Sequence, residues 1–570
     1  MLNHYCVKTG VMHSPWLHAV VLVALALPYF INLGVSSVWD GSEAFYAETP
    51  REMLATGDWL SPQFNFEPRV NKPPLTYWAV LVSYKLLGVH EFAVRLPGAL
   101  AALGIMLFSW GAARMLFGSG AALVAATIAA TTPRIFILER RLPIDILLLF
   151  FLAGTLFFLL RGVTKGTPAS WYGVYAFAAL GFLTKGPVAV IVPAGALLCW
   201  MAYARKMRLP GMRPLHGAAI FLCLTLPYYL LSYRVNGWTY IAPFFLSDNL
   251  GRFASESFGP QRGYFYYVLI WFSDFFPWAI ILPAALFSLR RGLRERLKDP
   301  AFGLPLFWCI VIFLFFSLSK NKQEYYIAPM YPAAAILVAG FAGLFDEWRS
   351  KLRSRPSPMT PAETRSERLV LRSWGWLYGF LALLLFLMAF TLPYILDLLM
   401  PGVHFALRVV PSLILVAGAV AMIRSVVRKD FHVAFAALSF SLWILFFSGA
   451  LVYVPALENF RPIKDFCRRI EVEATGTEFE AGYFRTAVPS MTFYLKHRIF
   501  EESDYRRMLR RLRADQRTYC ILDGRDYDWF KKRVRTLHVL ERRARFSVRF
   551  EQLFSEEKRA DRELLLISNR

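Results

Sequence analysis

Residues 16–53 read WLHAVVLVALALPYFINLGVSSVWDGSEAFYAETPREM. The first half is apolar and long enough to cross a bilayer, which takes about 20 mainly apolar residues. The second half turns abruptly polar. Asp40, Glu43, Glu48 and Glu52 follow one another with Tyr46 among them, at the mouth of the first predicted span. No A-x-A cleavage pattern follows the apolar run, so it reads as a retained anchor.

The rest of the chain has the same character. Of 570 residues, 56% are hydrophobic, 16% aromatic and only 18% charged, against roughly 25% charged in soluble proteins. That is too little polar surface to cover a soluble body. The net charge of +24 then belongs to Lys and Arg in cytoplasmic loops and beside lipid phosphates rather than to a nucleic-acid surface. The six cysteines are scattered, without C-x-x-C spacing, and the nine histidines form no H-E-x-x-H. Cys467 and Cys520 lie in the polar C-terminal region, where a pair or two free thiols are equally open.

About thirteen apolar stretches are candidate spans, from Trp16–Ser36 to His432–Leu457. With the N-terminus inside, the loops Ala204–Arg213, Leu289–Lys298 and Trp348–Ser357 are inside and rich in Lys and Arg. The opposite loop, Ser37–Arg95, has more acids than bases, as the positive-inside rule requires. An odd number of spans puts that loop and the tail on the same outer face. The expected fold is a polytopic α-helical membrane protein, residues 1–457, followed by an extracytoplasmic α/β domain, residues 458–570. In the tail, RTYCILD and RELLLIS read as strands and SDYRRMLRRLRA as a helix. No internal repeat stands out, which weighs against a transporter built from inverted repeats.

The loop 37–95 is too long to be mostly unstructured. Asp40 with Glu43, and Thr49-Pro50-Arg51-Glu52, resemble capping boxes, and Gly57 is a stop signal. Two short surface helices are expected. Asp40 and Glu43 are then either caps or catalytic carboxylates at the membrane boundary.

Further candidates share this depth. Lys72 precedes Pro73-Pro74 at a rigid corner, where it either snorkels to lipid or binds a substrate phosphate. Asp145 opens the run IDILLLFF as a cap or a functional acid. Lys185 sits in the turn TKGP. Lys320, Lys322, Tyr325 and Tyr326 lie in SLSKNKQEYYIAP, and Arg252, Arg262 and Tyr264 in another outer loop. Cations beside carboxylates at an outer rim suit transfer of a sugar from a lipid phosphate. The cations stabilise the leaving phosphate and a carboxylate takes the acceptor's proton. No Walker or dinucleotide motif is present.

Together SEAFYAETPREMLATGDW, KPPLTYW, EFAVRLPGAL, LPIDILLLFF, FLTKGP and SLSKNKQEYYIAPMYP resemble the GT-C membrane glycosyltransferases that use polyprenyl-phosphate sugars. The likeness is strongest to the aminoarabinose–lipid A transferases (the ArnT family) and weaker to protein O-mannosyltransferases. VPSMTFYLKHRIFEE in the tail also matches the former. The resemblance implies a multi-pass protein of the bacterial inner membrane with a periplasmic C-terminal domain. It implies a polyprenyl-phosphate-linked sugar as donor and a lipid A-type or other envelope acceptor. By position, Glu43 and Asp145 would be the acidic residues of the site, with Asp40 an alternative because Ser42 stands where relatives carry Asp. Lys72, Lys185, Arg262, Lys320, Lys322 and Tyr326 would bind substrate and phosphate. Asn71 and Gln261 replace residues linked to a bound metal in the family, so no metal or other cofactor is expected.

Overall fold

The computed structural model describes residues 14–70, 72–142, 144–251, 262–288, 292–353, 361–400, 404–545 and 563–570. Among these, eight helices are long and apolar enough to cross a membrane, or up to ten if each of two bent pairs is one span. Three further candidate spans from the sequence fall on helices of 16, 18 and 17 residues: α1 (Pro15–Phe30), α8 (Pro168–Lys185) and α9 (Val188–Ala204). The chain is therefore a multi-pass helical membrane protein.

The loop after α1 forms one helix, α2 (Ser42–Thr56), and not the expected two. Pro50 lies inside it without ending it, because Tyr46, Ala47, Thr49, Pro50 and Met53 are all buried along its length. Tertiary packing outweighs the lost backbone bond here. Gly41 precedes α2 at φ 92°, a conformation that favours glycine. The Asp40 side chain does not cap α2. Glu43 instead accepts the Trp39 backbone N–H at 2.7 Å, two residues before the N-cap Gly41, so the expected Asp40–Glu43 capping box does not form. Gly57 follows in the left-handed region as the expected stop. A two-residue hairpin, β1 (Gln63–Phe64) with β2 (Glu67–Pro68), then leads to the Pro73-Pro74 corner and α3 (Leu75–Leu87).

The body that carries the site is α4 (Glu91–Phe117), α5 (Ser119–Ala130), α6 (Pro133–Glu139), α7 (Ile144–Lys165), α8 and α9. Within a bilayer, helices gain by close packing rather than by escape from water, so small residues mark their contacts. Gly104 of α4 lies against Phe150 of α7, and Gly154 of α7 against Phe177 of α8. A Cβ at either glycine would come within 2.2 Å of the ring. This packing sets Asp145, in the first turn of α7, beside Lys185, in the last turn of α8. Each charge also suits the helix dipole at its end.

Next come α10 (Pro214–Asn236), a nine-residue π-helical stretch Pro243–Gly251, and α11 (Tyr266–Asp274), which meets α12 (Trp278–Ser288) at 107°. Arg134 holds that break from α6, donating to both oxygens of Asp274 at 2.6 and 2.7 Å. Then α13 (Pro300–Leu318) packs on α9 and, with a 3-10 segment Glu324–Met330, faces α7, while α14 (Tyr331–Arg353) packs mainly on α4 and α5. α15 (Pro361–Leu399), α16 (Phe405–Val427) and α17 (Phe431–Ser448) complete the body.

The C-terminal residues form a five-stranded sheet, in the order β4-β3-β5-β7-β6. Its strands are β3 (Phe479–Phe484), β4 (Ile499–Glu502), β5 (Arg517–Asp523), β6 (His538–Ala544) and β7 (Glu563–Ser568). β3 pairs in parallel with β4 and β5, and the β5–β7 and β6–β7 pairs are antiparallel. α18 (Ile463–Glu473) and α19 (Ser490–Leu495) pack on one face, α20 (Tyr505–Arg513) and α21 (Gly524–Lys531) on the other. The period-2 alternation of β5 serves both: Tyr519 and Ile521 face one layer, Cys520 and Leu522 the other. Cys467 lies with the first layer, across the sheet from Cys520, and both thiols are free.

This domain is joined to the α2 region by specific contacts. Asn65 gives and takes a hydrogen bond with the Ile499 backbone, both at 2.9 Å, continuing the sheet edge with a side chain. Trp39 lies between two guanidinium groups, Arg141 at 4.2 Å and Arg461 at 4.0 Å from its ring centre. Such stacking favours Arg over Lys.

Candidate active site

A cavity of about 630 Å³ opens where α2, the Pro73-Pro74 corner, α7, α8, α9 and the 319–329 segment meet. Its lining includes the apolar residues Ile144, Leu148, Val188, Ile191, Phe315 and Phe316. It also includes Arg69, Lys72, Asp145, Lys185, Asp248 and Tyr326. A largely apolar lining with a few polar and charged groups is the general form of a small-molecule site.

The charges form two ion pairs. Lys72 contacts Asp248, and Lys185 contacts Asp145. Lys185 also lies 4.6 Å from the Tyr326 ring centre and 5.6 Å from that of Tyr325. Arg69 donates from Nε to the Tyr77 hydroxyl at 3.0 Å and stacks over Phe45 at 4.2 Å. Tyr46 stacks on Tyr77, with ring centres 5.5 Å apart.

Of the residues singled out from the sequence, Tyr46, Lys72, Asp145, Lys185, Tyr325 and Tyr326 line this cavity. The others sit elsewhere. Asp40 turns to the C-terminal domain, accepting from Ser490 Oγ at 2.6 Å and Ser490 N at 3.3 Å. Burial raises its pKa, opposed by Ser490 and by Arg545 and Arg461. Glu43 is buried against Arg95. Arg262 donates to the Lys322 carbonyl at 3.2 Å and contacts Tyr266 and Glu324, so it braces the loop rather than the cavity. Lys322 is buried and gives its ammonium to the Ser319 carbonyl, and burial lowers its pKa. Lys320 is exposed and outside the lining. Asn71, Arg252 and Gln261 lie outside the described residues. Among the described residues no three His, Cys, Asp or Glu side chains converge as a metal site needs.

Sequence reasoning missed Arg69 and Asp248. Arg69 stands three residues before Lys72 in EPRVNK, and Asp248 is the lone acid of IAPFFLSDNLG. An acid in so apolar a stretch at membrane depth is itself a functional signal.

This architecture, a helical membrane body with a cavity at one end and a small α/β domain joined beside it, is the GT-C glycosyltransferase fold. The particular likeness is to ArnT. The chain superposes on ArnT from Cupriavidus metallidurans bound to undecaprenyl phosphate with TM-score 0.75, covering 98% of this chain and 99% of that one at 21% identity. The apo form gives 0.72 at 22% identity. Residues 71–230 match the family model described as dolichyl-phosphate-mannose-protein mannosyltransferase. In sequence the chain is 31% identical over 327 residues to the undecaprenyl phosphate-alpha-4-amino-4-deoxy-L-arabinose arabinosyl transferase of Edwardsiella ictaluri. It is also 31% identical over 342 residues to that of Pectobacterium carotovorum. A protein of Aquifex aeolicus matches at 30% over 323 residues. These matches cover 56%, 58% and 56% of this chain and 58%, 60% and 63% of the respective relatives.

Proposed function

We propose that this chain is a glycosyltransferase that moves a sugar from a polyprenyl-phosphate donor to a lipid A-type or other envelope acceptor. The observation that carries this reading is the cavity itself, where Arg69, Lys72 and Lys185 share a lining with Leu148, Ile191 and Phe316. The relatives' names favour 4-amino-4-deoxy-arabinose as the sugar. The Lys- and Arg-rich inside loops favour a cavity and C-terminal domain on the periplasmic face of the inner membrane.

The donor's first prenyl units lie along Leu148, Ile191 and Phe316. Its phosphate sits at Lys72 and Arg69. The acceptor hydroxyl attacks the anomeric carbon from the side opposite the phosphate, and the configuration inverts. Its proton passes to the Asp145 carboxylate. The bond from the anomeric carbon to the phosphate oxygen breaks, and its electron pair stays on that oxygen. Lys72, Arg69 and Lys185 stabilise the charge that develops there, without reorganisation. Asp145 is preferred to Asp40 and Glu43 as base because its carboxylate lines the cavity.

A protein Ser or Thr acceptor is the second reading, favoured by the family model that matches residues 71–230. Purified protein, given a synthetic polyprenyl-phosphate sugar, should label lipid A and not a Ser/Thr peptide. The opposite result selects the second reading. No transfer from any polyprenyl-phosphate sugar to either acceptor removes the enzyme reading and favours a lipid carrier without catalysis.

A further inference from the structure

We infer that Asp248 is a displaceable counter-anion. Its carboxylate holds Lys72 where the lipid phosphate will bind, yields that place to the donor, and competes the spent phosphate away by returning. This rests on the reading of the cavity as a polyprenyl-phosphate site.

Lys72 and Asp248 are 176 residues apart in the chain, both line the cavity, and their side chains are only 12% and 8% exposed. A shielded ammonium already in contact with one carboxylate cannot take a phosphate at full strength beside it. Two anions would crowd one cation where little water screens them. The phosphate must replace the carboxylate.

The two ion pairs of the cavity differ in what holds them. Asp145 and Lys185 both sit on packed helices, α7 and α8, locked by the Gly154–Phe177 contact. Lys72 is fixed by Pro73 and Pro74. Asp248 alone stands on the π-helical stretch Pro243–Gly251. π-helical turns are rare and frequent at functional sites. The carboxylate is therefore the partner assigned to yield.

Charge explains the use. A sugar–phosphate–lipid diester carries one negative charge, as Asp248 does, so exchanging them is close to neutral. The product is a phosphate monoester, which carries about −1.5 to −2 at pH 7. It holds Lys72 more tightly than the donor did. A tethered carboxylate that reclaims Lys72 offsets this and speeds release.

The test is binding of a short-chain polyprenyl monophosphate to the full-length protein. Asp248→Asn should bind it roughly tenfold more tightly, a gain of ~1.4 kcal/mol. Asp248→Glu should stay near the unmodified protein. In a Lys72→Ala background the Asn variant should add nothing, since the effect acts through Lys72. In the transfer assay, Asp248→Asn should lower KM and kcat together and sharpen product inhibition. A merely structural Asp248 would instead weaken binding. Unchanged or weaker binding by Asp248→Asn, or the same gain without Lys72, overturns the inference. Should the variant fail to fold, a structure of the unmodified protein with polyprenyl phosphate decides. Lys72 on the phosphate and off Asp248 supports the inference, and an intact pair overturns it. Failure of the unmodified protein to bind polyprenyl phosphate at all removes the proposed function, and this inference with it. That outcome is separate from tight binding that Asp248 does not affect.

Discussion

Glu43 and Arg95 form a two-bonded ion pair, with Nε to Oε1 at 2.7 Å and Nη2 to Oε2 at 3.1 Å, and each side chain is only 1% exposed. Arg95 spends its remaining donors on the carbonyls of Leu33, Ser36 and Ser37, at 2.7–2.9 Å. One guanidinium thus ties the turns that follow α1, the start of α2 and α4 together. Removing one partner of a buried pair leaves an uncompensated charge, at about 3–5 kcal/mol. Glu43→Gln should therefore lower the thermal midpoint sharply, as followed by unfolding in detergent. Arg95→Met added to it should recover part of the loss. A base at this position would instead give a stable, inactive protein.

Asp40 and Asp145 should separate cleanly. Asp40→Asn loses charge-assisted bonds to Ser490 and should cost about 1.5–3 kcal/mol of stability, with sugar transfer retained. Asp145→Asn should reduce kcat by about 10²–10⁴, the usual worth of a general base. Transfer rates with thermal midpoints as controls distinguish the two. Equal loss of kcat in both variants would return Asp40 to the catalytic role.

Arg69 should resist conservative replacement. Its planar group stacks over Phe45 while its Nε bonds Tyr77, and a lysine reproduces neither contact. Arg69→Lys should raise the donor KM by roughly 5–30-fold, the equivalent of ~1–2 kcal/mol, with a smaller change in kcat. A titration of rate against donor concentration checks this.

Glu52 should make stability depend on pH. It is buried beside Glu48, and burial with that like charge raises its pKa from 4.5 to about 7. The unfolded chain loses this proton near pH 4.5, whereas the folded protein keeps it to about 7. A raised carboxyl pKa means that the folded state binds more protons in this window. Stability should then fall as pH rises through it, by up to ~3 kcal/mol. Glu52→Gln should flatten the slope between pH 4.5 and 7.5, as measured by thermal unfolding across that range. An unchanged slope would show that Glu52 does not carry it.

Much of this protein was legible in its sequence because membrane constraints are local. A run such as IDILLLFF must be helical wherever it lies, since a bilayer offers its backbone no other partners. The same holds for the period-2 pattern of RTYCILD, which became a central strand. Lys72 was marked by Pro73-Pro74, and Asp145 and Lys185 by charge at the ends of apolar runs. α2 was misread at Pro50 because capping signals describe an isolated chain, whereas burial of its neighbours kept the helix whole.

The sequence by itself determined the membrane class, the helical runs, the α/β tail and the family resemblance, because hydropathy and short motifs act over tens of residues. Only the tertiary structure decided which charges share a cavity. Asp40 and Glu43 have the composition of a site, yet Ser490 and Arg95 claim them from 450 and 52 residues away. Asp248 has no motif around it, yet reaches Lys72 across 176 residues. Such pairings depend on how helices pack, and close packing joins residues that no local pattern relates.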